Sequence, residues 1–393
     1  MKNKCRSNRV LASEARAELP CKNLCGSKRV LASEARAELP YELNFLVKVI
    51  VLRQSKREES VMNNPKLTID DVAKALGISK TTVSRAISGK GRVGNSTKSK
   101  VMEYIEKHNY RPNVMARALA KQRTYNIGVV WPDDYNAVDL PFFQRCMVGM
   151  SEITSSFGYD IVISLIAGDD ISGLKRVVEN HKVDGIILTR TLVNDKPAAY
   201  LKECGIPFVA IGSSTDPDII CVDNANYEAC KELTSVLIAK GLKKLALIGG
   251  STEHIITRTR HNGFASAFVD AGLEMDPALV YLDVEKAAKV GGILKELIKK
   301  NIDGVICMDD NLAGEVIARC REEHILVPEK LKVASFYNSS ILESSVPSVT
   351  SLNFDDRNLG ATAAKKLLEL IDGQDVSNTV LTNYEVILKE STK

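Results

Sequence analysis

Residues 68–88 read TIDDVAKALGISKTTVSRAIS and predict two short amphipathic helices on either side of a glycine-containing turn. Thr68 can cap the first helix, and Asp71, three residues later, completes a capping box. Gly77 ends that helix, because glycine readily adopts the left-handed conformation found at helix C termini. Ser79 can cap the second helix in the same way as Thr68 caps the first.

The second helix is predicted to have one apolar face and one polar face. Its inward face carries Val83, Ala86 and Ile87, while its outward face combines short hydrogen-bonding side chains with two cations. A helix that lies in the major groove of DNA needs such a surface, although an ordinary helical hairpin with a solvated polar face is the alternative. The residues predicted to contact DNA are Thr68, Ser79, Lys80, Thr81, Thr82, Ser84 and Arg85.

A basic loop and a third helix follow at 96–109, with Val101, Ile105 and His108 predicted to face inward. The motifs TIDDVAKALGISKTTVSR, HNYRPN and ARAL occur in the order and at the spacing found in one family of bacterial regulators. The chain therefore resembles the LacI/GalR (lactose-repressor/galactose-repressor) family. This resemblance implies a three-helix helix-turn-helix head at 62–110 that binds double-stranded operator DNA.

Residues 111–123, RPNVMARALAKQR, connect this head to the rest of the chain. Pro112 marks a boundary, and the Ala-rich stretch after it is too short to be a stable helix alone. The resemblance implies a hinge helix that orders on the operator, with Leu119 wedged between base pairs in the minor groove. An ordinary linker with Leu119 as a packing residue is the alternative. The residues expected to contact DNA here are Asn113, Arg117 and Leu119, with Lys121 and Arg123 on phosphates.

Charge is distributed unevenly along the 393 residues, although the net charge is only +4. Residues 62–123 carry 13 Lys/Arg against 4 Asp/Glu, a net charge of +9, and residues 1–61 carry a net charge of +6. The remaining residues, 124–393, therefore carry 4 − 9 − 6 = −11. A basic module on an acidic body suits a DNA-binding head, because phosphate neutralisation supplies most non-specific affinity.

The first 61 residues differ in character from the rest of the chain. RVLASEARAELP occurs at 9–20 and again at 29–40, and neither copy has a wide apolar face. Two copies are too few for a repeat fold, so we expect an extraneous or disordered extension. An additional regulatory or partner-binding arm is the alternative interpretation.

Cysteine usage and hydropathy both predict a protein of the cytoplasm. The nine cysteines lack metal-ligand spacing, and no apolar run approaches the roughly 20 residues that a membrane helix needs. The sequence predicts neither a cofactor nor a metal site. We expect six cysteines to be small core residues in a reducing compartment: Cys146, Cys204, Cys221, Cys230, Cys307 and Cys320.

From residue 124 onwards, short β-rich runs alternate with amphipathic helices, which predicts an α/β fold with doubly wound parallel sheets. The resemblance implies a two-lobed fold like that of type I periplasmic binding proteins, serving effector binding and dimerisation. Lobe 1 is expected at about 124–225 and 353–373, and lobe 2 at about 226–350 and 374–393. The strands are predicted at 127–131, 161–164, 185–188, 208–211, 219–222, 245–248, 280–282, 304–307 and 333–336. Helices are predicted at 142–157, 227–240, 287–300 and 312–323.

Ligands of parallel sheets bind beyond the carboxyl ends of the strands, so the loops there hold the candidate effector site. Phe142 and Phe143 offer aromatic faces that suit sugar rings. Arg260 and Asp309 match effector-contacting positions of the family by resemblance. Tyr337-Asn338, in SFYNSS, resembles the corresponding segment of maltose-type regulators, so a sugar effector is expected. A solvated polar loop is the alternative at each position.

Two other functional classes are less compatible with the sequence. An enzyme would need reactive groups facing each other, yet the sequence shows no phosphate-binding glycine loop, nucleophile elbow or zinc signature. A free-standing solute-binding protein would not need the basic head. We therefore predict a homodimeric transcription factor, a repressor without catalytic residues, that reads a pseudo-palindrome and responds to a small molecule.

Overall fold

A computed structural model describes residues 67–89, 91–110, 123–133, 141–284 and 287–393. The chain forms two compact units that divide between residues 112 and 113. The predicted N-terminal extension and the predicted hinge contacts Asn113, Arg117, Leu119 and Lys121 lie outside the described residues.

The first unit contains three helices: α1 (Ile69–Leu76), α2 (Lys80–Ser88) and α3 (Asn95–Lys107). The predicted capping box at α1 is confirmed, because the Thr68 hydroxyl accepts from the Asp71 N–H at 3.3 Å and the Asp71 carboxylate accepts from the Thr68 N–H at 2.9 Å. Gly77 follows α1 with a φ of 67°, the left-handed conformation that favours glycine.

The core of this unit is small and joins all three helices. Val72, Val83 and Val101 are fully buried, one from each helix. The prediction for His108 was wrong: its ring is exposed and stacks on Tyr104 at 4.0 Å between centroids. Tyr110 is buried in its place, so the third helix ends earlier than predicted and the chain turns back onto the core.

The second unit is built on two six-stranded sheets, as the α/β prediction requires. The strands are β1 (Asn126–Pro132), β2 (Asp160–Ile166), β3 (Gly185–Leu188), β4 (Phe208–Ile211), β5 (Cys221–Asn224), β6 (Leu245–Ile248), β7 (Val280–Tyr281), β8 (Gly304–Cys307), β9 (Lys332–Ser335), β10 (Thr350–Phe354), β11 (Thr379–Leu381) and β12 (Tyr384–Ile387). The first sheet has the order β11-β5-β4-β3-β1-β2 and is parallel throughout, and the second has the order β12-β10-β9-β8-β6-β7. In the second sheet β12 is antiparallel to β10.

Helices cover the sheets on both faces, which explains why the central strands β3, β4, β6 and β8 are continuous apolar runs. The helices of this unit are α4 (Pro141–Ser156), α5 (Ser172–Glu179), α6 (Lys196–Cys204), α7 (Asn226–Ala239), α8 (Ile255–Asp270), α9 (Val290–Lys299), α10 (Asp310–Glu322), α11 (Ser340–Ser344) and α12 (Asp356–Ile371). Helices α4 and α12 approach closely, since a Cβ at Gly149 or Gly360 would overlap a backbone carbonyl of the other helix.

The C-terminal part of the chain alternates between the lobes more often than the sequence predicts. Strand β10 belongs to the second sheet, α12 packs on the core of the first lobe, and β11 extends the first sheet beside β5. Residues 353–354 and 379–381 are therefore in the opposite lobes from those expected. Strand β12 then returns to the second sheet.

Five of the six cysteines that the structure describes are buried, as expected, but Cys204 at the end of α6 is exposed. Among the described residues, no helix has both the length and the apolar character required to cross a bilayer.

Candidate functional site

The polar face of α2 is open to solvent. Lys80, Thr81, Ser84 and Arg85 are exposed, whereas Thr82 is half-buried, with its hydroxyl 2.8 Å from that of Ser79. Lys80 forms an ion pair with Asp70 at 2.6 Å. An exposed pair of this kind contributes little stability, so Lys80 can exchange Asp70 for another anion at small cost.

Two of the predicted DNA-contacting hydroxyls have a structural use inside the first unit. The Thr68 hydroxyl caps α1, and the Ser79 hydroxyl caps α2 by accepting from the Thr82 N–H at 3.1 Å. Both residues remain exposed at helix N termini, where backbone N–H groups favour an anion such as phosphate. Their contact with DNA stays a prediction.

A cavity of about 690 Å³ lies between the two lobes, at the carboxyl ends of the strands. Five of the six predicted effector residues line it: Phe142, Phe143, Arg260, Asp309 and Tyr337. The aromatic residues form a cluster, with Phe142 edge-on to Phe143 at 5.1 Å and to Tyr337 at 6.1 Å between centroids. The cavity thus offers aromatic faces beside charged and hydrogen-bonding groups.

Asn338, the sixth predicted residue, does not line the cavity. It is buried elsewhere, where its amide donates to Glu343 at 2.9 Å and its carbonyl accepts from Ser351 at 3.0 Å and Lys389 at 3.1 Å. These partners use three of the four hydrogen-bonding positions of the side chain, so it holds the loop after β9 in place.

Arg260 and Asp309 approach the cavity from two helices of the second lobe. The Arg260 guanidinium donates to the Met308 carbonyl and, at 3.4 Å, to the Asn226 side-chain oxygen, while its Nε is buried without a partner. Asp309 caps α10 by accepting from the Leu312 N–H at 2.8 Å. Burial raises the pKa of Asp309 to about 6, despite that hydrogen bond.

Tyr337 makes the closest polar contact between the two sides of the cavity. Its hydroxyl donates to the Asp356 carboxylate at 2.6 Å, and Asp356 begins α12, which packs on the first lobe. Burial raises the pKa of Asp356 to about 6, whereas Tyr337 and Arg145 act to lower it. Arg145 lies 3.8 Å from the same carboxylate.

The sequence reasoning missed Asp356, although it lines the cavity. A signal was present, since Asp355-Asp356 follows a strand and precedes an amphipathic helix. Asp310, Asn224 and Arg190 also line the cavity beyond the predicted set.

Backbone contacts join the lobes at the margin of the cavity. The Val193 N–H donates to the Glu253 carbonyl at 2.9 Å, and the Ile255 N–H donates to the Thr191 carbonyl at 3.3 Å. Leu192 and His254 therefore form an antiparallel bridge between the loops after β3 and β6. The described arrangement is a closed one, with the two lobes in direct contact.

A helix-turn-helix unit joined to a two-lobed ligand-binding fold defines the class of ligand-responsive DNA-binding regulators. Residues 68–113 match the family described as bacterial regulatory proteins, lacI family, and residues 234–392 match the periplasmic binding protein-like domain. The regulator RegA of Clostridium saccharobutylicum is 30% identical over 335 residues, which cover 83% of this chain and 99% of RegA. MalR of Streptococcus pneumoniae is 33% identical, with 70% and 89% of the two chains covered. The chain therefore belongs to the lacI family of transcriptional regulators.

Solved structures agree with this assignment. A complex of the transcriptional regulator CelR with cellobiose has 25% identity and a TM-score of 0.62, covering 83% of this chain and 99% of CelR. CcpA of Lactococcus lactis has 26% identity and the same TM-score, covering 68% and 99%. The lac repressor dimer bound to operator is 21% identical with a TM-score of 0.69, a likeness of fold.

Proposed function

We propose that this regulator is a dimeric repressor whose affinity for a pseudo-palindromic operator is set by a sugar bound between the lobes. One observation carries the proposal: the chain combines an exposed cationic face on α2 with an aromatic, hydrogen-bonding cavity in the other unit. The operator-bound lac repressor and the cellobiose complex of CelR, both similar in fold, support the two halves of the proposal.

On the DNA side, α2 enters the major groove and Arg85 reads a base. A guanidinium can donate two parallel hydrogen bonds to a guanine edge, a contact that is worth about 1–3 kcal/mol of discrimination. Lys80, Thr81, Thr82 and Ser84 complete the contacts to bases or phosphates. The hinge contacts of Asn113, Arg117 and Leu119 belong to the same proposal, with Leu119 opening a base step in the minor groove.

On the effector side, a sugar ring stacks on Phe142 or Phe143 while Arg260 and Asp309 bind its hydroxyl groups. Ligand binding changes DNA affinity only if the ligand binds the two conformations of the lobes unequally. A tenfold to hundredfold change in operator affinity needs about 1.4–2.8 kcal/mol of coupling, which is within the usual range.

The DNA half is tested by selecting a binding site from a randomised duplex library and measuring gel retardation. Arg85→Ala should abolish binding to the selected site and leave the circular dichroism spectrum unchanged. Lys240→Ala removes an equal charge from the exposed end of α7 and is the matched control, with wild-type binding expected. An Arg85→Ala protein that keeps full sequence preference would contradict the proposed reading role.

The effector half is tested by thermal shift with neutral disaccharides, followed by gel retardation with any sugar that stabilises the protein. Such a sugar should shift the operator affinity of the wild type. Arg260→Ala should lose the sugar response but keep operator binding. If stabilising sugars leave operator affinity unchanged at saturation, the allosteric part of the proposal fails.

A further inference from the structure

The cavity between the lobes is lined by the N-terminal residues of five helices, α4, α7, α8, α10 and α12. Helix N termini carry partial positive charge and free N–H groups, so they usually favour anionic ligands. A phosphorylated sugar would be the simple expectation for such a cavity. The groups that line the cavity instead oppose an anionic ligand.

Three of these helix ends, those of α8, α10 and α12, already carry an acceptor from the protein. The Asp309 carboxylate caps α10, and Asp310 occupies its first turn. The Asp355 carboxylate caps α12 by accepting from the Asn358 N–H at 3.0 Å, and Asp356 occupies the first turn. At α8, the first N–H donates to the Thr191 carbonyl across the cleft. At these three helix ends, the protein therefore supplies an acceptor where an external phosphate would otherwise bind.

The charge of the cavity wall also opposes an anion. Its carboxylates outnumber its guanidinium groups by five to two. A phosphate dianion would meet this excess at low dielectric, where repulsion between like charges is strong. The carboxylates are Asp223, Asp309, Asp310, Glu315 and Asp356, and the guanidinium groups are Arg190 and Arg260.

Buried polar atoms without hydrogen-bond partners indicate which donors and acceptors a ligand in this cavity would supply. Asp310 Oδ2, Asp356 Oδ1 and Asn224 Oδ1 are buried acceptors without a hydrogen-bond partner among the described residues, whereas Arg260 Nε is a single donor without one. All four residues line the cavity. Leaving such groups unpaired costs about 1–3 kcal/mol each. Hydroxyl groups can both donate and accept, while a phosphate dianion supplies acceptors only.

We propose that this cavity selects an uncharged polyhydroxylated ligand and rejects its phosphorylated counterpart, with Asp356 as the specificity-determining residue. This inference rests on the proposed function and names the ligand class of the same site. Asp356 is chosen because it lies where the lobes meet, with Tyr337 of the second lobe at 2.6 Å and Arg145 of the first at 3.8 Å. A ligand that enters the cleft therefore lies close to the negative charge of Asp356.

The test compares wild type and Asp356→Asn by calorimetry with maltose, cellobiose, sucrose and trehalose and with the 6-phosphates of the same sugars. Asparagine keeps an acceptor for the Tyr337 hydroxyl but removes the negative charge. In the wild type, at least one neutral disaccharide should bind at least about tenfold more tightly than its phosphate. Asp356→Asn should reduce the ratio of the affinity for the neutral sugar to the affinity for its phosphate by at least about tenfold.

Asp355→Asn is the matched control, because Asp355 is an exposed helix cap and does not line the cavity. It should keep the wild-type ratio. If Asp356→Asn fails to fold by circular dichroism, Asp310→Asn provides the second variant, with a change of ratio in the same direction. The proposal is overturned if the phosphorylated sugars bind equally or more tightly in the wild type, or if none of the neutral sugars binds.

Operator binding by the ligand-free proteins is measured on the same preparations. Loss of sequence-specific DNA binding in the wild type would be a failure of the proposed function itself. Normal operator binding together with a preference for sugar phosphates would overturn the ligand class alone.

Discussion

Replacing the buried Asp356 carboxylate should stabilise the protein at neutral and alkaline pH. Burial holds the pKa of Asp356 at about 6 against an ordinary value of 3.8, so the ionised carboxylate is less favourable in the folded protein than in the unfolded chain. The difference corresponds to about 3 kcal/mol, at 1.36 kcal/mol for each pKa unit. Asp356→Asn removes this penalty and keeps an acceptor for Tyr337.

The sign of the pH dependence follows from the raised pKa. Above about pH 6 the wild type carries the full cost of the buried charge, and this cost disappears as the pH falls from about 6 towards about 4, where the folded protein gains a proton. Asp356→Asn should therefore exceed the wild type in free energy of unfolding by up to about 3 kcal/mol at pH 8. The difference should shrink to near zero at pH 4.

The assay is thermal unfolding followed by circular dichroism between pH 4 and pH 8, where about 3 kcal/mol corresponds to roughly 6–12 °C. Asp355→Asn, at the exposed neighbouring cap, should remain close to the wild type throughout, because Asn and Asp cap helices equally well. A stability difference between Asp356→Asn and wild type that is the same at pH 4 and pH 8 would refute the assignment of the cost to this carboxylate.

Ser79→Ala should lower the stability of the head by about 1 kcal/mol, because the Thr82 N–H loses its cap, and the melting curve of the head should shift accordingly. Gly360→Ala should destabilise the second unit by about 3 kcal/mol or more, since the new Cβ would overlap the Cys146 carbonyl. The midpoint of urea unfolding measures this change, and an unchanged midpoint would contradict the close approach of α4 and α12. Arg123→Ala removes hydrogen bonds to Asp372 at 2.7 Å and to the Ile371 carbonyl at 2.8 Å. It should keep operator binding but lower the effect of the effector on that binding about tenfold, as gel retardation with and without a stabilising sugar can show.

The head could be predicted from the sequence because its determinants are local. The capping residue Thr68, its partner Asp71 and the left-handed Gly77 lie within ten residues, and each acts on its own helix. His108 shows the limit of such reasoning. Helical periodicity placed it inside, but the helix ended and Tyr110 filled the core instead.

The cavity could be predicted only where a strand end and a family match coincided, as at Arg260 and Asp309. Asn338 does not line the cavity, because its buried side chain bonds to other parts of the chain, including Lys389, 51 residues away. Strand β11 was missed because it is three residues long and pairs with β5, more than 150 residues earlier. Long-range pairing of this kind leaves little local pattern in a short exposed strand.

Arg123 was expected to contact phosphate, but its contacts within the second unit indicate a different use. It bonds to the C-terminal end of α12, while Asp356 at the N-terminal end of the same helix lines the cavity and bonds to Tyr337 of the other lobe. The 16-residue helix spans about 24 Å, at about 1.5 Å for each residue, and its tight packing on α4 through Gly360 leaves little room for it to bend. A ligand that competes with Tyr337 for Asp356 therefore acts on the same rigid helix that binds Arg123, the last residue of the predicted hinge segment.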